Sequence, residues 1–331
     1  MLSSDSEIEV IGTARDGMEA LEKVASLRPD IVTMDIEMPK MDGLTALKQI
    51  MAKNPVPVIM ISSLTSEGAK ATLDALEFGA VDFIPKNLSD LSVNIMKIRE
   101  MLINKVKQIT HKKLASPKLR SPAPQKNPET SHSISPMPST ARRMGIVSIG
   151  TSTGGPKALH AILPHMPKDF PVPIIIAQHM PPAFTGPFAE RLNQICKISV
   201  KEAEEGEPIR PGVALIAPGR GHMRVRRQRA IETVVTISEN RDEFVYRPSV
   251  DALMFSVAEC FPGRALGIIL TGMGNDGLNG LTALKKTGGR VFAQNEETCI
   301  VYGMPKAVVD AGIADKVLPI EEMAGEIINA V

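Results

Sequence analysis

Residues 146–155, Ile146-Val147-Ser148-Ile149-Gly150-Thr151-Ser152-Thr153-Gly154-Gly155, carry an apolar strand into a serine bracketed by glycines, and a helix-like stretch opens at Pro156. A hydroxyl at the carboxyl end of a strand, facing a helix amino terminus, stands where a nucleophile would stand. Gly150, Gly154 and Gly155 permit the tight turn that this requires. The stretch also matches G-x-S-x-G, the pattern of hydrolase nucleophile elbows. Outward from it, continuous apolar runs at 146–149, 172–177, 213–217, 265–270 and 291–293 alternate with helical patterns. Such runs predict a doubly wound, mainly parallel α/β sheet covered on both faces. Residues 223–248 alternate instead, Met-Arg-Val-Arg-Arg and then Thr-Val-Val-Thr-Ile, and predict an appended antiparallel hairpin.

The 331 residues suffice for two domains, each able to bury a core. Residues 115–143 separate them: six prolines, six serines and almost no large apolar side chain make this an extended linker. Nine Lys and Arg against the single Glu129 between 105 and 143 make the tether basic. The whole chain is balanced, 38 Lys plus Arg against 37 Asp plus Glu, which gives no general pull toward nucleic acid or an anionic membrane. Cys196, Cys260 and Cys299 form no C-x-x-C pair and read as free thiols of a reducing cytosol, neither a zinc site nor a disulfide framework. No apolar run reaches the roughly 18 residues of a membrane span and no signal peptide opens the chain, so a cytoplasmic protein is expected.

Two further strands after the linker end in chemistry. One runs to Gln178-His179-Met180-Pro181, the other to Thr271-Gly272-Met273-Gly274-Asn275-Asp276-Gly277. Ligands of open α/β sheets bind outside the carboxyl ends of strands, so Ser152, His179 and Asp276 are expected to converge as nucleophile, base and orienting acid. The backbone N–H groups of Thr153 and Met273 are the expected donors to a developing oxyanion. The α/β-hydrolase order, serine, acid, histidine, is excluded because no histidine follows His222. His160 and His165 read as surface or packing residues, and His222 as a residue of the pocket mouth. A dinucleotide site competes: 272–277 fits G-x-G-x-x-G after a strand, with Glu296 and Glu297 about 20 residues on. Asp276, however, would put a carboxylate inside the cradle meant for a pyrophosphate.

With Gly-Thr-Ser-Thr-Gly-Gly, Gln-His-Met-Pro, Tyr246-Arg247-Pro248-Ser249-Val250-Asp251 and Thr-Gly-Met-Gly-Asn-Asp-Gly in this order, residues 144–331 resemble the catalytic domain of the chemotaxis protein-glutamate methylesterase (CheB) family. The resemblance implies a Ser152, His179, Asp276 triad, without a cofactor, that hydrolyses glutamate γ-methyl esters and deamidates glutamines on chemoreceptors. A non-catalytic response-regulator output domain is the alternative; it lacks support for DNA binding, since no helix-turn-helix signature or basic recognition stripe follows the linker.

Residues 1–114 show short apolar runs at 8–14, 30–35, 56–62 and 81–85 between helical patterns. Thr33-Met34-Asp35-Ile36-Glu37-Met38-Pro39 with Asp42-Gly43 resembles the phosphorylation loop of flavodoxin-like receiver domains. The resemblance implies Asp35 as phosphoacceptor, Ser62 and Lys86 as the groups that follow the phosphoryl group, Phe83 as the aromatic switch, and a histidine kinase as phosphodonor. Receivers of this kind open with a strand ending in an acidic pair that binds Mg²⁺ with the phosphoacceptor. That strand is absent before 8–14, which leaves Asp35 alone of the implied Mg²⁺ ligands. Residues 1–7 read as the tail of the first helix, and Met1 as an internal methionine some 20 to 30 residues from the natural start, the length of one strand plus helix.

Overall fold

The structure, a computed structural model, describes residues 1–86, 91–114, 143–228, 232–240 and 244–331. The segment read as a linker, 115–143, lies outside these residues except for Arg143.

In the amino-terminal part, α1 (Gly17–Leu27), α2 (Gly43–Lys53) and α3 (Ser66–Glu77) alternate with β1 (Val32–Asp35), β2 (Val58–Ser62) and β3 (Asp82–Pro85), and α4 (Leu91–Leu114) follows. Each of the first three helices starts on a side chain that accepts a first-turn amide, Asp16 from Glu19, Asp42 from Thr45 and Thr65 from Gly68. The strands form a parallel sheet in the order β1-β2-β3, with Asp35 opposite Ile61 and Ser62 opposite Pro85. Residues 8–14, expected to be a strand, are not one. Ile8 is half-buried and residues 9–14 are exposed; the run joins no ladder, because among the described residues β1 pairs only with β2, and an extended run without a partner for its N–H and C=O groups stays irregular. The expected tail of a helix at 1–7 is a single 3₁₀ turn, Leu2–Ser4.

The carboxyl-terminal part is built on β4 (Ile146–Thr151), β5 (Ile174–Gln178), β6 (Ser199–Glu202), β7 (Val213–Ile216), β10 (Ala265–Ile269), β11 (Arg290–Gln294) and β12 (Lys316–Leu318). All are parallel, in the order β12-β11-β10-β4-β5-β7-β6, and the order reverses between β4 and β10. α5 (Gly155–Ile162), α6 (Pro182–Ile195), α7 (Val250–Cys260), α8 (Leu278–Lys286), α9 (Met304–Asp310) and α10 (Ile320–Ala330) cover the sheet. β4, β5 and β10 are buried at every position, which is why their sequences run apolar without alternation. The expected hairpin is β8 (His222–Arg227) with β9 (Thr233–Ser238), antiparallel, its inner face on α7. Sequence reading missed β6 and β12, edge strands of four and three residues with mixed polarity. A further correction concerns His222: it is fully buried, bonds the Asn240 carbonyl through Nε2 and packs on Phe244, so it does not line a pocket mouth.

The two parts share a packed boundary. Phe83 at β3 stacks on Phe184 of α6 with ring centroids 4.5 Å apart. Arg191 of α6 reaches α3, donating to Glu77 (2.9 Å) and to the Lys70 carbonyl (3.0 Å) and pairing with Asp74. Met273 and Ile300, from loops of the large sheet, pack with Leu102, Val106 and Ile109 of α4.

Candidate active site

The switch point between β4 and β10 is where two helices leave the sheet on opposite faces, and the three strand ends meet there. Ser152 follows β4. Its N–H donates to the Thr271 carbonyl at 3.0 Å, and its own carbonyl accepts from Gly155 N–H at 2.8 Å and Gln178 Nε2 at 3.0 Å. The turn is thereby tied to both neighbouring strands. Gly154 holds it with φ +79°, and a Cβ there would lie 2.6 Å from Ile300 Cγ1, so this position admits only glycine.

His179 follows β5, with its N–H on the Thr151 carbonyl at 3.0 Å. Its Nε2 lies 2.8 Å from Asp276 Oδ2, and its Nδ1 is buried with no hydrogen-bond partner. An ionised Asp276 fixes the proton on Nε2 and leaves the Nδ1 lone pair as the basic nitrogen.

Asp276 is buried, in the loop between β10 and α8, and lies at the amino terminus of α7. It accepts from Val250 N–H at 2.7 Å, Asp251 N–H at 3.0 Å and Ser249 Oγ at 3.0 Å, besides the imidazole. Burial pushes its carboxyl up, but the His179 bond and charge and the amides of Asp251 and Val250 outweigh this and hold it below the ordinary carboxylate range. Asp251 does the reverse service for α8: its Oδ1 accepts from Gly277 N–H (3.0 Å) and Gly280 N–H (2.7 Å). Two neighbouring helices thus exchange acidic side chains at their amino termini, where the helix dipole favours negative charge. Burial raises the Asp251 carboxyl. The sequence does not announce these partners of Asp276, although Ser249, Val250 and Asp251 belong to the 246–251 motif.

Thr153 and Met273, named for their N–H groups, flank this site, and neither amide is taken by another group among the described residues. The Thr153 hydroxyl donates to Asp82 Oδ2 of β3 at 2.6 Å; Lys105 of α4 pairs with the same oxygen and lies 3.1 Å from Thr153 Oγ1. A network from the amino-terminal part therefore touches the residue after Ser152. A groove of about 280 Å³ between α3, α5 and α6, lined by Phe78, Lys157, His160, Phe188 and Arg191 among others, contains no triad residue. His160 there stacks on Phe188 and is held below its ordinary range by burial; His165 is exposed.

At the end of β1, Lys86 Nζ pairs with Asp35 Oδ1 at 2.7 Å. Ser62 is buried and bonded to Thr72, Ser63 and Gly68, while Phe83 faces α6, so of the residues expected around Asp35 only Lys86 touches it. Among the described residues no group of three or more His, Cys, Asp or Glu side chains is arranged to hold a metal ion. Asp35 is paired with Lys86; it would supply one oxygen ligand to a Mg²⁺ ion, which takes the rest of its shell from other groups and water. Burial pushes the Cys196 thiol up to about 11, and Cys196, Cys260 and Cys299 form no disulfide.

A regulator sheet carrying a strand-end aspartate, joined to a doubly wound sheet with a histidine-aspartate pair beside a glycine-flanked serine, defines a response regulator with a hydrolase output. The chain matches the CheB methylesterase family over residues 147–327 and the response regulator receiver domain over residues 1–95. It belongs to the CheB methylesterase family. It is 51% identical over 350 residues to a protein-glutamate methylesterase/protein-glutamine glutaminase of Oleidesulfovibrio alaskensis, covering 100% of this chain and 94% of the relative. A relative of the same name from Pyrococcus horikoshii is 45% identical, covering 100% and 89%. The CheB methylesterase catalytic domain of Thermotoga maritima superposes with a TM-score of 0.55 at 42% identity, over 57% of this chain and 99% of that one.

Proposed function

We propose that this chain is a protein-glutamate methylesterase and protein-glutamine glutaminase: residues 1–114 regulate, 144–331 catalyse, and 115–143 join them. It acts in the cytoplasm on chemoreceptor helices. No helix of the described residues is long and apolar enough to cross a membrane. The observation that carries the reading is the His179 to Asp276 pair at 2.8 Å beside the Ser152 turn, with the second imidazole nitrogen left without a partner.

Ser152 Oγ attacks the γ-carbonyl carbon of a glutamate methyl ester, and its proton passes to the free His179 nitrogen. The imidazolium so formed is stabilised by the Asp276 carboxylate, which keeps its own charge. The amides of Thr153 and Met273 receive the oxyanion; one such donor is worth about 3 to 4 kcal/mol of barrier. The intermediate expels methoxide, which takes the proton from His179 and leaves as methanol. Water then attacks the acyl-enzyme, giving its proton to His179, and the glutamate acid and Ser152 are restored. A glutamine amide follows the same path and loses ammonia.

Regulation follows from the boundary: a histidine kinase places a phosphoryl group on Asp35, and the change is carried through Phe83 and Asp82 to the contacts with α6 and Thr153. The test is methanol release from methylated receptor by the wild type and by Ser152→Ala. The variant should lose several orders of magnitude; equal release by both proteins overturns the triad.

A further inference from the structure

The segment 246–251 grips two members of the triad, Asp276 and His179. Its carboxyl end holds Asp276 through Ser249, Val250 and Asp251. Its amino end lays the Tyr246 ring flat on the His179 imidazole, with centroids 4.5 Å apart and planes 8° from parallel. Tyr246 is partly buried, and its phenol is raised by burial and by the Asp276 charge, so the ring is neutral at neutral pH. The imidazole is thus held at its Nε2 edge by a carboxylate and on one face by an aromatic ring.

We propose that Tyr246 is a positioning residue of the esterase, its ring face fixing the plane of His179 and stabilising the imidazolium that forms each time the base takes a proton. The physics is that of a cation over an aromatic face. A delocalised cation within about 6 Å of a ring centroid is attracted by the negative face of the quadrupole, and the attraction grows as water is excluded. Neutral imidazole gains much less from the same contact. The stack therefore favours the charged form, which the transition states of both acylation and deacylation contain. Among the described residues, the titratable groups in contact with His179 are Asp276 at its edge and Tyr246 on its face. Asp251 lies behind Asp276 with its own oxygens on the amides of Gly277 and Gly280. Only Tyr246 can be changed without moving a charge.

This inference rests on His179 being the base, and its test separates the two. In the full chain, Tyr246→Phe keeps the ring and Tyr246→Leu keeps an apolar cover but no quadrupole. The His179 imidazole is titrated by nitrogen-detected NMR in each protein, in a Ser152→Ala background where turnover plays no part. Leu should lower the His179 midpoint by about half a pH unit, and Phe should leave it within about a tenth. In the active background Leu should lower kcat about fivefold with KM unchanged and move the acidic limb of its pH profile down by the same half unit, while Phe stays near wild type. A Leu midpoint equal to wild type overturns the proposal, as does a Phe variant that falls as far as Leu. The expected midpoint shifts together with undiminished methanol release by His179→Gln would instead refute the triad and leave the stack standing.

Discussion

The boundary between the two sheets predicts how tightly the enzyme is held off. The Thr153 hydroxyl gives its proton to Asp82 across 2.6 Å; Thr153 is 2% and Asp82 8% exposed, so water does not compete for the bond. A hydrogen bond to a charged group contributes about 1.5 to 3 kcal/mol. Asp82→Ala removes it and also leaves the Lys105 ammonium, with its side chain 12% exposed, without its carboxylate in the closed arrangement. In an opened arrangement both losses vanish, because the hydroxyl and the ammonium are hydrated. Taking about 2 kcal/mol as the net penalty on the closed state, the equilibrium moves about 30-fold toward opening. The unphosphorylated full chain should then release methanol from methylated receptor up to about 30 times faster than wild type, limited by the rate of the fully open enzyme. Asp82→Asn retains an acceptor for Thr153 but no charge, and should rise only a few-fold. An Asp82→Ala rate within twofold of wild type, in a protein with unchanged melting, refutes the lock.

Two further outcomes concern the carboxylates and the receiver loop. Asp276→Asn should lower kcat about 10⁴-fold, since an amide can neither fix the imidazole tautomer nor balance its charge. Its stability effect depends on pH: Asp276 has a depressed folded pKa against an ordinary value of 3.8, so its contribution is present above that value and is lost as pH falls through the folded one. Denaturant melts should therefore show the gap between wild type and Asp276→Asn narrowing from pH 5 to pH 3; a widening gap contradicts the assignment. Gly43→Ala would place a Cβ 2.0 Å from the Asp35 carbonyl oxygen and 2.9 Å from its carbon, a clash with backbone that must move the phosphoacceptor loop. Calorimetry should show the receiver destabilised by about 1 to 3 kcal/mol with the catalytic sheet unaffected, and an unchanged receiver transition would count against the placement of that loop.

The central strands of the catalytic sheet were legible because burial on both faces writes an unbroken apolar run, and the hairpin because its sequence alternates, whereas the short edge strands β6 and β12 carry neither pattern. The run at 8–14 has the composition of a strand without the partner that would make it one; propensity is local and pairing is not. Ser152, His179 and Asp276 could be found because each terminates such a run. What holds them could not. Asp276 is gripped from 25 to 27 residues away by two main-chain amides, whose availability no side chain announces, and by a serine that reads as an ordinary helix cap. The Asp82 to Thr153 bond joins positions 71 apart on two sheets, and an aspartate in a buried strand reads only as an oddity until its partner is seen. The stacking of Tyr246 on His179 likewise depends on how a loop returns over the sheet.

The exchange of acids between α7 and α8 ties chemistry to packing in a way that affects how damage will be observed. Asp276 and Asp251 each close the other's helix, and Gly280 brings the two helices so near that a Cβ there would meet Met254 Cβ at 2.5 Å. A substitution that parts these helices by a fraction of an ångström leaves most of the buried surface intact, yet it turns the carboxylate relative to the imidazole. Turnover is then a finer gauge of this contact than thermal stability. Variants along the seam should appear as slow enzymes well before they appear as unfolded ones.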